Sequence, residues 1–143
     1  MILYIFYNAD ILGIPNITTN EDAMGYVDDI NFIVIAKNFQ ETTKIIRDMM
    51  TRQDGGHQWS ITHNSLFGVP KSAITHYSRR TIKDPNSDNQ LIPLPRPALI
   101  LDSQTVQETN QFKYLGIIID AQLRWKEQVQ QATANATKWI LQF

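Results

Sequence analysis

From Ala23 to Ala36 the chain reads Ala-Met-Gly-Tyr-Val-Asp-Asp-Ile-Asn-Phe-Ile-Val-Ile-Ala, two β-prone stretches on either side of an Asp-Asp pair. This pattern predicts an antiparallel hairpin with acids at its tip. The second arm, Phe32 to Ile35, is continuously apolar, which predicts burial on both faces. A helix is expected directly after it. Asn38 is placed to cap that helix and Glu41 stands at the capping-box position. Phe39, Thr42, Ile46, Met49 and Gln53 then recur at helical spacing, with Lys44, Arg47 and Asp48 off the stripe. The fold class expected is α+β: an antiparallel sheet carrying the acidic hairpin, with a helix packed beneath it.

The rest of the chain is read by the same signals. Residues 2–12 predict a short apolar helix, followed by a loop from Gly13 to Asp22. Gly55-Gly56 bends or ends the helix after the hairpin, and a second helical piece is expected from His57 to Asn64. Val69 to Ser78 reads as a strand opening with Pro70-Lys71, and residues 83–97, with four prolines, read as loop. A small hairpin is expected around Asp102-Ser103, and a single strong strand from Phe112 to Asp120. From about Ala121 the chain is expected to be helical, with Trp125, Val129, Ala132, Ala136, Ile140 and Phe143 as its apolar stripe. Its last residues are apolar and uncapped, so the chain is expected to be cut from something longer.

Composition narrows the chemistry. With 143 residues the chain fits one domain, and 43% apolar against 19% charged residues argues against disorder. There is no cysteine, which excludes a disulfide scaffold, a thiolate zinc site and a cysteine nucleophile. No apolar run is long enough to span a membrane, and Met1 to Phe6 lacks the basic start of a secretory signal. Residues 1–36 carry five acids and no base, whereas all 13 basic residues and nine acids follow. An acidic front and a mildly basic back fit a metal site beside a polyanion-binding surface.

Asp28 and Asp29 are the residues with the sharpest chemistry. Adjacent carboxylates in a tight turn repel one another, and a divalent cation relieves that cost. Carboxylate oxygens suit magnesium, which keeps several waters and takes one or two protein carboxylates plus phosphates. The same pair also suits an ordinary polar turn. Lys71, His76, Arg79, Arg80 and Lys83 form a basic run in which Arg79 and Arg80 are candidate phosphate contacts, although cations on a solvated strand edge read the same way. His57, His63 and His76 have neither the spacing nor the cysteine partners of a zinc site. Trp59, Trp125 and Trp139 lie on apolar stripes and read as packing residues ahead of base-stacking ones.

Tyr26-Val27-Asp28-Asp29 resembles the metal-binding motif of reverse transcriptases, and the longer run Gly25 to Phe32 resembles that of non-LTR (LINE-type) retrotransposons, particularly those of fungi. Later features follow in that family's order. A helix comes after the hairpin, and Lys71 then opens a strand in Val69-Pro70-Lys71-Ser72-Ala73. Phe112-Lys113-Tyr114-Leu115-Gly116-Ile117 is similar to the family's primer-contacting strand turn. Leu123-Arg124-Trp125 with its helix is similar to the start of the thumb. The resemblance implies a partial polymerase palm over residues 1–120 and the first thumb helix over 121–143.

Carried over by position, Asp28 resembles the principal metal-ligating aspartate and Asp29 its neighbour. Tyr26 resembles the aromatic near the primer end, and Lys71 the lysine near the incoming triphosphate. Tyr114, Leu115 and Gly116 resemble the primer grip. The implied cofactor is Mg2+ or Mn2+. The implied partners are an RNA template, a DNA primer, deoxynucleoside triphosphates and the missing parts of the same polyprotein, with no membrane. Nuclear or cytoplasmic placement follows only from the family. The family also has a metal-ligating aspartate on an earlier palm strand and a Gly-Pro-Gln-Gly type segment shaping the nucleotide pocket, and neither has a counterpart here. Ile2 to Leu12 resembles the helix after that segment. Asp10 and Asp22 are poor substitutes for the absent aspartate. The chain by itself is therefore expected to be inactive. Other readings are a non-enzymatic remnant of a decayed retrotransposon, or a nucleic-acid-binding module.

Overall fold

The alternation around the acidic pair produces a hairpin. In the computed structural model, which describes residues 6–27 and 29–142, β1 (Glu21–Tyr26) pairs antiparallel with β2 (Asp29–Val34). The register runs from Glu21↔Val34 to Tyr26↔Asp29, leaving a two-residue connection at 27–28. Downstream strands are β3 (Ala73–Ile74), β4 (Thr81–Asp84), β5 (Ser87–Pro93), β6 (Ile100–Leu101), β7 (Gln104–Thr105), β8 (Gln107–Glu108), β9 (Gln111–Tyr114) and β10 (Ile117–Asp120). The longer helices are α1 (Phe39–Thr51), α2 (Gly56–Thr62) and α3 (Lys126–Ile140). The architecture is α+β, with each strand in a two-stranded sheet. No helix among the described residues is long and apolar enough to cross a membrane.

The chain divides into two compact units, Met1–Ser72 with Pro97–Val106, and Ala73–Arg96 with Gln107–Phe143. In the first, residues 6–8 are helical and run into a 3-10 turn, Ala9–Gly13, that packs against β1. The approach is close at Gly25, where a Cβ would stand 3.1 Å from Leu12 Cδ2. Helix α1 starts as expected: Asn38 Oδ1 accepts from Glu41 N at 2.8 Å, and Glu41 Oε2 accepts from Lys37 N. It packs against β2 and α2. Among the described residues, the first unit buries the apolar side chains of Ile11, Met49, Trp59, Val69, Leu99 and Val106. Trp59 stacks on His63 at 4.4 Å and on Phe67 at 5.9 Å, which makes it a packing residue.

Several expectations need correction. β2 is half-buried rather than covered on both faces, because β1 is its only strand neighbour among the described residues. Val69 to Ser78 is not one strand: Val69–Lys71 is a 3-10 turn, and only Ala73–Ile74 pairs, parallel to β8. Lys71 therefore closes a turn instead of opening a strand. Residues 81–93, expected largely as loop, form the β4–β5 hairpin, with Asp84-Pro85-Asn86-Ser87 as its turn. Asp84 Oδ1 accepts from Asn86 N at 2.8 Å, the local bond that makes Asp favourable there.

In the second unit Phe112 to Asp120 is two strands, not one. Leu115 at φ 49° and Gly116 at φ 88° turn the chain between β9 and β10, the left-handed pair that a two-residue hairpin connection requires. The small hairpin around Asp102-Ser103, in the first unit, turns the same way, but it is shorter than the expected arms, Ala98 to Leu101 and Thr105 to Glu108: Ile100–Leu101 pairs with Gln104–Thr105, and Gln107–Glu108 pairs with β3 instead. Helix α3 begins at Lys126, not near Ala121. Asp120 holds residues 122–125 in a turn, accepting from Gln122 N at 3.0 Å, Arg124 N at 2.9 Å and Trp125 N at 2.6 Å. None of the described residues of α3 is buried, and Trp125, Val129, Trp139 and Ile140 are exposed. The expected apolar stripe is therefore no core here, and Phe143 lies outside the described residues.

Candidate functional site

The geometry of the acidic hairpin follows from its register. Strand side chains alternate between faces, and cross-strand partners share one. Tyr26 and Asp29 are partners, as are Met24 and Asn31. One face at the tip thus presents a phenol, a carboxylate, a thioether and an amide. Tyr26, Met24 and Asp29 are exposed and Asn31 is half-buried. Asp28, the principal candidate ligand, lies outside the described residues.

Two features of this tip cost free energy. Val27 takes φ 56°. A β-branched residue is an outlier there, at roughly 1–2 kcal/mol. Such strain collects at functional turns. Behind the tip, Asn8 is 7% exposed, and its Nδ2 has no hydrogen-bond partner among the described residues. A buried amide left unsatisfied costs about 1–3 kcal/mol. Asn8, Leu12, Gly25, Val27 and Ile30 line a cavity of about 60 Å³. Sequence reasoning missed Asn8. Its one signal was a polar residue interrupting an apolar stretch, and that signal does not say which side chain it serves.

The far end of the hairpin is anchored. Glu21, 4% exposed, receives both guanidinium nitrogens of Arg52 at 2.9 and 2.7 Å. It also receives Asn16 N at 2.9 Å and Thr19 Oγ1 at 2.8 Å. Arg52 further donates to Ile14 O at 2.6 Å. Burial alone would raise the Glu21 pKa. The Arg52 hydrogen bond, with those of Asn16 and Thr19 and the Arg52 charge, outweighs it and holds the carboxyl below its ordinary value.

The exposed Asp29 carboxylate offers hard oxygen to a cation. Among the described residues no three acidic or histidine side chains converge. A cation here would keep most of its water, which magnesium favours and a soft metal does not. Among the described residues at the tip, Asp29 is the carboxylate that could hold such a cation.

The other candidates are spread over both units. Lys71 is exposed at the end of its 3-10 turn in the first unit. Tyr114, Leu115 and Gly116 form the end and tip of the β9–β10 hairpin in the second, where Tyr114 stacks on Phe112. In the basic run, His76 is buried. Arg79 donates to Leu123 O at 2.7 Å, so its charge serves the turn before α3. The Arg80 side chain is exposed, and its backbone N–H donates to Ser78 Oγ. The run is therefore not one cationic strand edge. No protein-family model, curated protein or solved structure matches the chain.

Proposed function

We propose that the chain is part of an RNA-directed DNA polymerase of the non-LTR retrotransposon type and contributes the acidic hairpin of its palm. The observation that carries this reading is the tip itself. Tyr26 and Asp29 face each other across a two-residue connection, both exposed, beside a strained Val27. The ordered resemblance of Tyr26 to Asp29, Lys71 and Tyr114 to Gly116 supports it.

In this reading Asp28 and Asp29 hold divalent cation at the primer 3′ end. Magnesium held there would supply activation of the 3′ hydroxyl and stabilisation of the leaving oxygen in phosphoryl transfer. Tyr26 borders the nascent base pair, Lys71 offers a point charge to the triphosphate, and Tyr114 to Gly116 grip the primer. Arg80 can neutralise a backbone phosphate. Template RNA, primer DNA and deoxynucleoside triphosphates are the ligands. The other palm aspartate comes from a further part of the same polyprotein.

Primer extension on a primed RNA template with magnesium tests this. The chain alone should incorporate no nucleotide. Extended through its upstream reading frame to the other palm aspartate, it should incorporate, and Asp28→Ala should abolish incorporation. Equal incorporation by that variant would contradict the reading. A stop codon or frameshift immediately upstream would favour a decayed, non-enzymatic remnant.

A further inference from the structure

We infer that α3 is an interaction surface and that a second copy of the same chain covers it, the two helices lying side by side and antiparallel. The surface lies in the second unit and owes nothing to the acidic hairpin, so it stands apart from the polymerase reading.

Val129, Ala132, Ala136 and Ile140 recur at intervals of three and four, which puts them on one side of α3 with Trp139 at the border. Val129, Trp139 and Ile140 are each more than half exposed, and both alanines are exposed. The unit's own sheet does not cover this stripe. Helix α3 meets β10 through Gln128, whose Oε1 accepts from Ile118 N at 2.7 Å, and within the helix only Gln128 and Gln131 are half-buried. A helix of 15 residues is marginal in water without a packed face, so the stripe has a reason to be covered. Charge selects what covers it. Lys126, Glu127 and Lys138 are the charged residues of the helix, and the last two lie on the opposite side. Gln128, Thr133 and Asn135, which flank the stripe, are neutral. A phosphate backbone finds nothing to pair with there, whereas an identical stripe meets neither repulsion nor an unpaired charge. The order of sizes suits a two-fold axis, which sets residue i against j and j against i. The two alanines stand at the middle, with Val129 beyond one and Trp139 and Ile140 beyond the other. In the antiparallel pair, Ala132 of each copy faces Ala136 of the other, and Val129 faces Trp139. The small central residues let the helices approach to about 8 Å, and larger side chains close both ends. Opposed helix dipoles favour this direction over the parallel one. At 15 residues the helix is about 22 Å long, which allows roughly 500 Å² to be covered on each copy. A total of about 1,000 Å² is the lower limit of a specific pair, so the dimer is weak and half-formed at a concentration on the order of 0.1 mM.

Sedimentation equilibrium of the full 143-residue chain, from about 10 μM to about 1 mM, tests this. The mass should rise towards twice that of the monomer and no further, because a two-fold pair is closed. Ala136→Glu puts a charge in the middle of the stripe and should weaken association about tenfold or more. The thermal midpoint of the dilute variant should be unchanged, since Ala136 is exposed. Glu127→Gln, on the opposite side, should associate like the unsubstituted chain. Direction is read by disulfide capture, because the chain has no cysteine of its own. Under mild oxidation, Ala132→Cys and Ala136→Cys mixed together should cross-link with one another faster than either does with itself. A monomer mass up to the highest concentration overturns the inference, as does growth past the dimer. Association of Ala136→Glu equal to that of the unsubstituted chain overturns it, and so does an equal loss in Glu127→Gln. Should Ala136→Glu also lower the midpoint, the cross-linking decides. Faster cross-linking of each cysteine variant with itself overturns the antiparallel pair. A chain that stays monomeric while phosphatidylcholine vesicles shift its tryptophan emission to the blue, with the shift lost in Ala136→Glu, assigns the stripe to lipid and overturns the dimer.

Discussion

Glu21 and Arg52 lie 31 positions apart, and no local pattern joins them. Their bond fixes the base of a hairpin whose tip carries a left-handed valine. Arg52→Ala would leave a buried carboxylate with two neutral donors in place of a guanidinium. A fully buried pair broken on one side costs 3–5 kcal/mol. Arg52 is 31% exposed, so roughly 2–3 kcal/mol is expected, read from the denaturant midpoint. The sign of the pH dependence follows from the lowered Glu21 pKa. The group adds stability above its unfolded value of 4.5 and loses it as pH falls through the lower folded value. Thermal midpoints of the unsubstituted chain and a Glu21→Gln variant should therefore converge in acid and diverge above that value. A gap unchanged by pH would contradict the assignment. The residue scale is also where the sequence said least about the site. Asp29 was legible because it interrupts two β-prone stretches, whereas nothing local in the sequence marks Asn8 as a buried amide.

At the scale of elements, local chemistry decided what could be read. Asn38 and Glu41 announced α1, because capping acts over three residues. The hairpin after Ala23 was legible from its alternation and its acids. Val69 to Ser78 was misread because its apolar and β-branched residues suit a strand that lacks a ladder partner over most of its length. The β4–β5 hairpin was hidden by proline, although Pro85 occupies a turn position where proline is favoured. Leu115 concealed the β9–β10 turn, since leucine seldom adopts positive φ. The start of α3 was placed too early because nothing local marks Asp120 as a receiver of three backbone N–H groups. Those bonds, Arg124 N first, hold its carboxyl below the ordinary value. Asp120→Ala should lower the thermal midpoint at neutral pH. The deficit should vanish as pH falls from 3.8 through the lower folded value. Circular dichroism melts across that range check this, and a deficit that persists in acid would point to packing instead.

At the scale of the whole chain, the two units differ in what they bury. Among the described residues the first buries six apolar side chains, including Met49 and Ile11 at 0% exposure, whereas the second buries Ile74 and Ala121. Burial contributes roughly 25 cal/mol per Å², so the second unit should open first. Amide exchange should be faster in β9, β10 and α3 than in α1 and α2, with the reverse order counting against this view of the core. We propose that the tip of β1–β2 binds divalent cation in the service of nucleic-acid chemistry. The most direct measurement is the affinity for a primed RNA–DNA duplex, with and without magnesium, in the unsubstituted chain and in Asp28→Asn with Asp29→Asn. The account predicts tighter binding with magnesium and loss of that gain in the variant. An affinity that magnesium leaves unchanged, or a gain that the variant keeps in full, would contradict it.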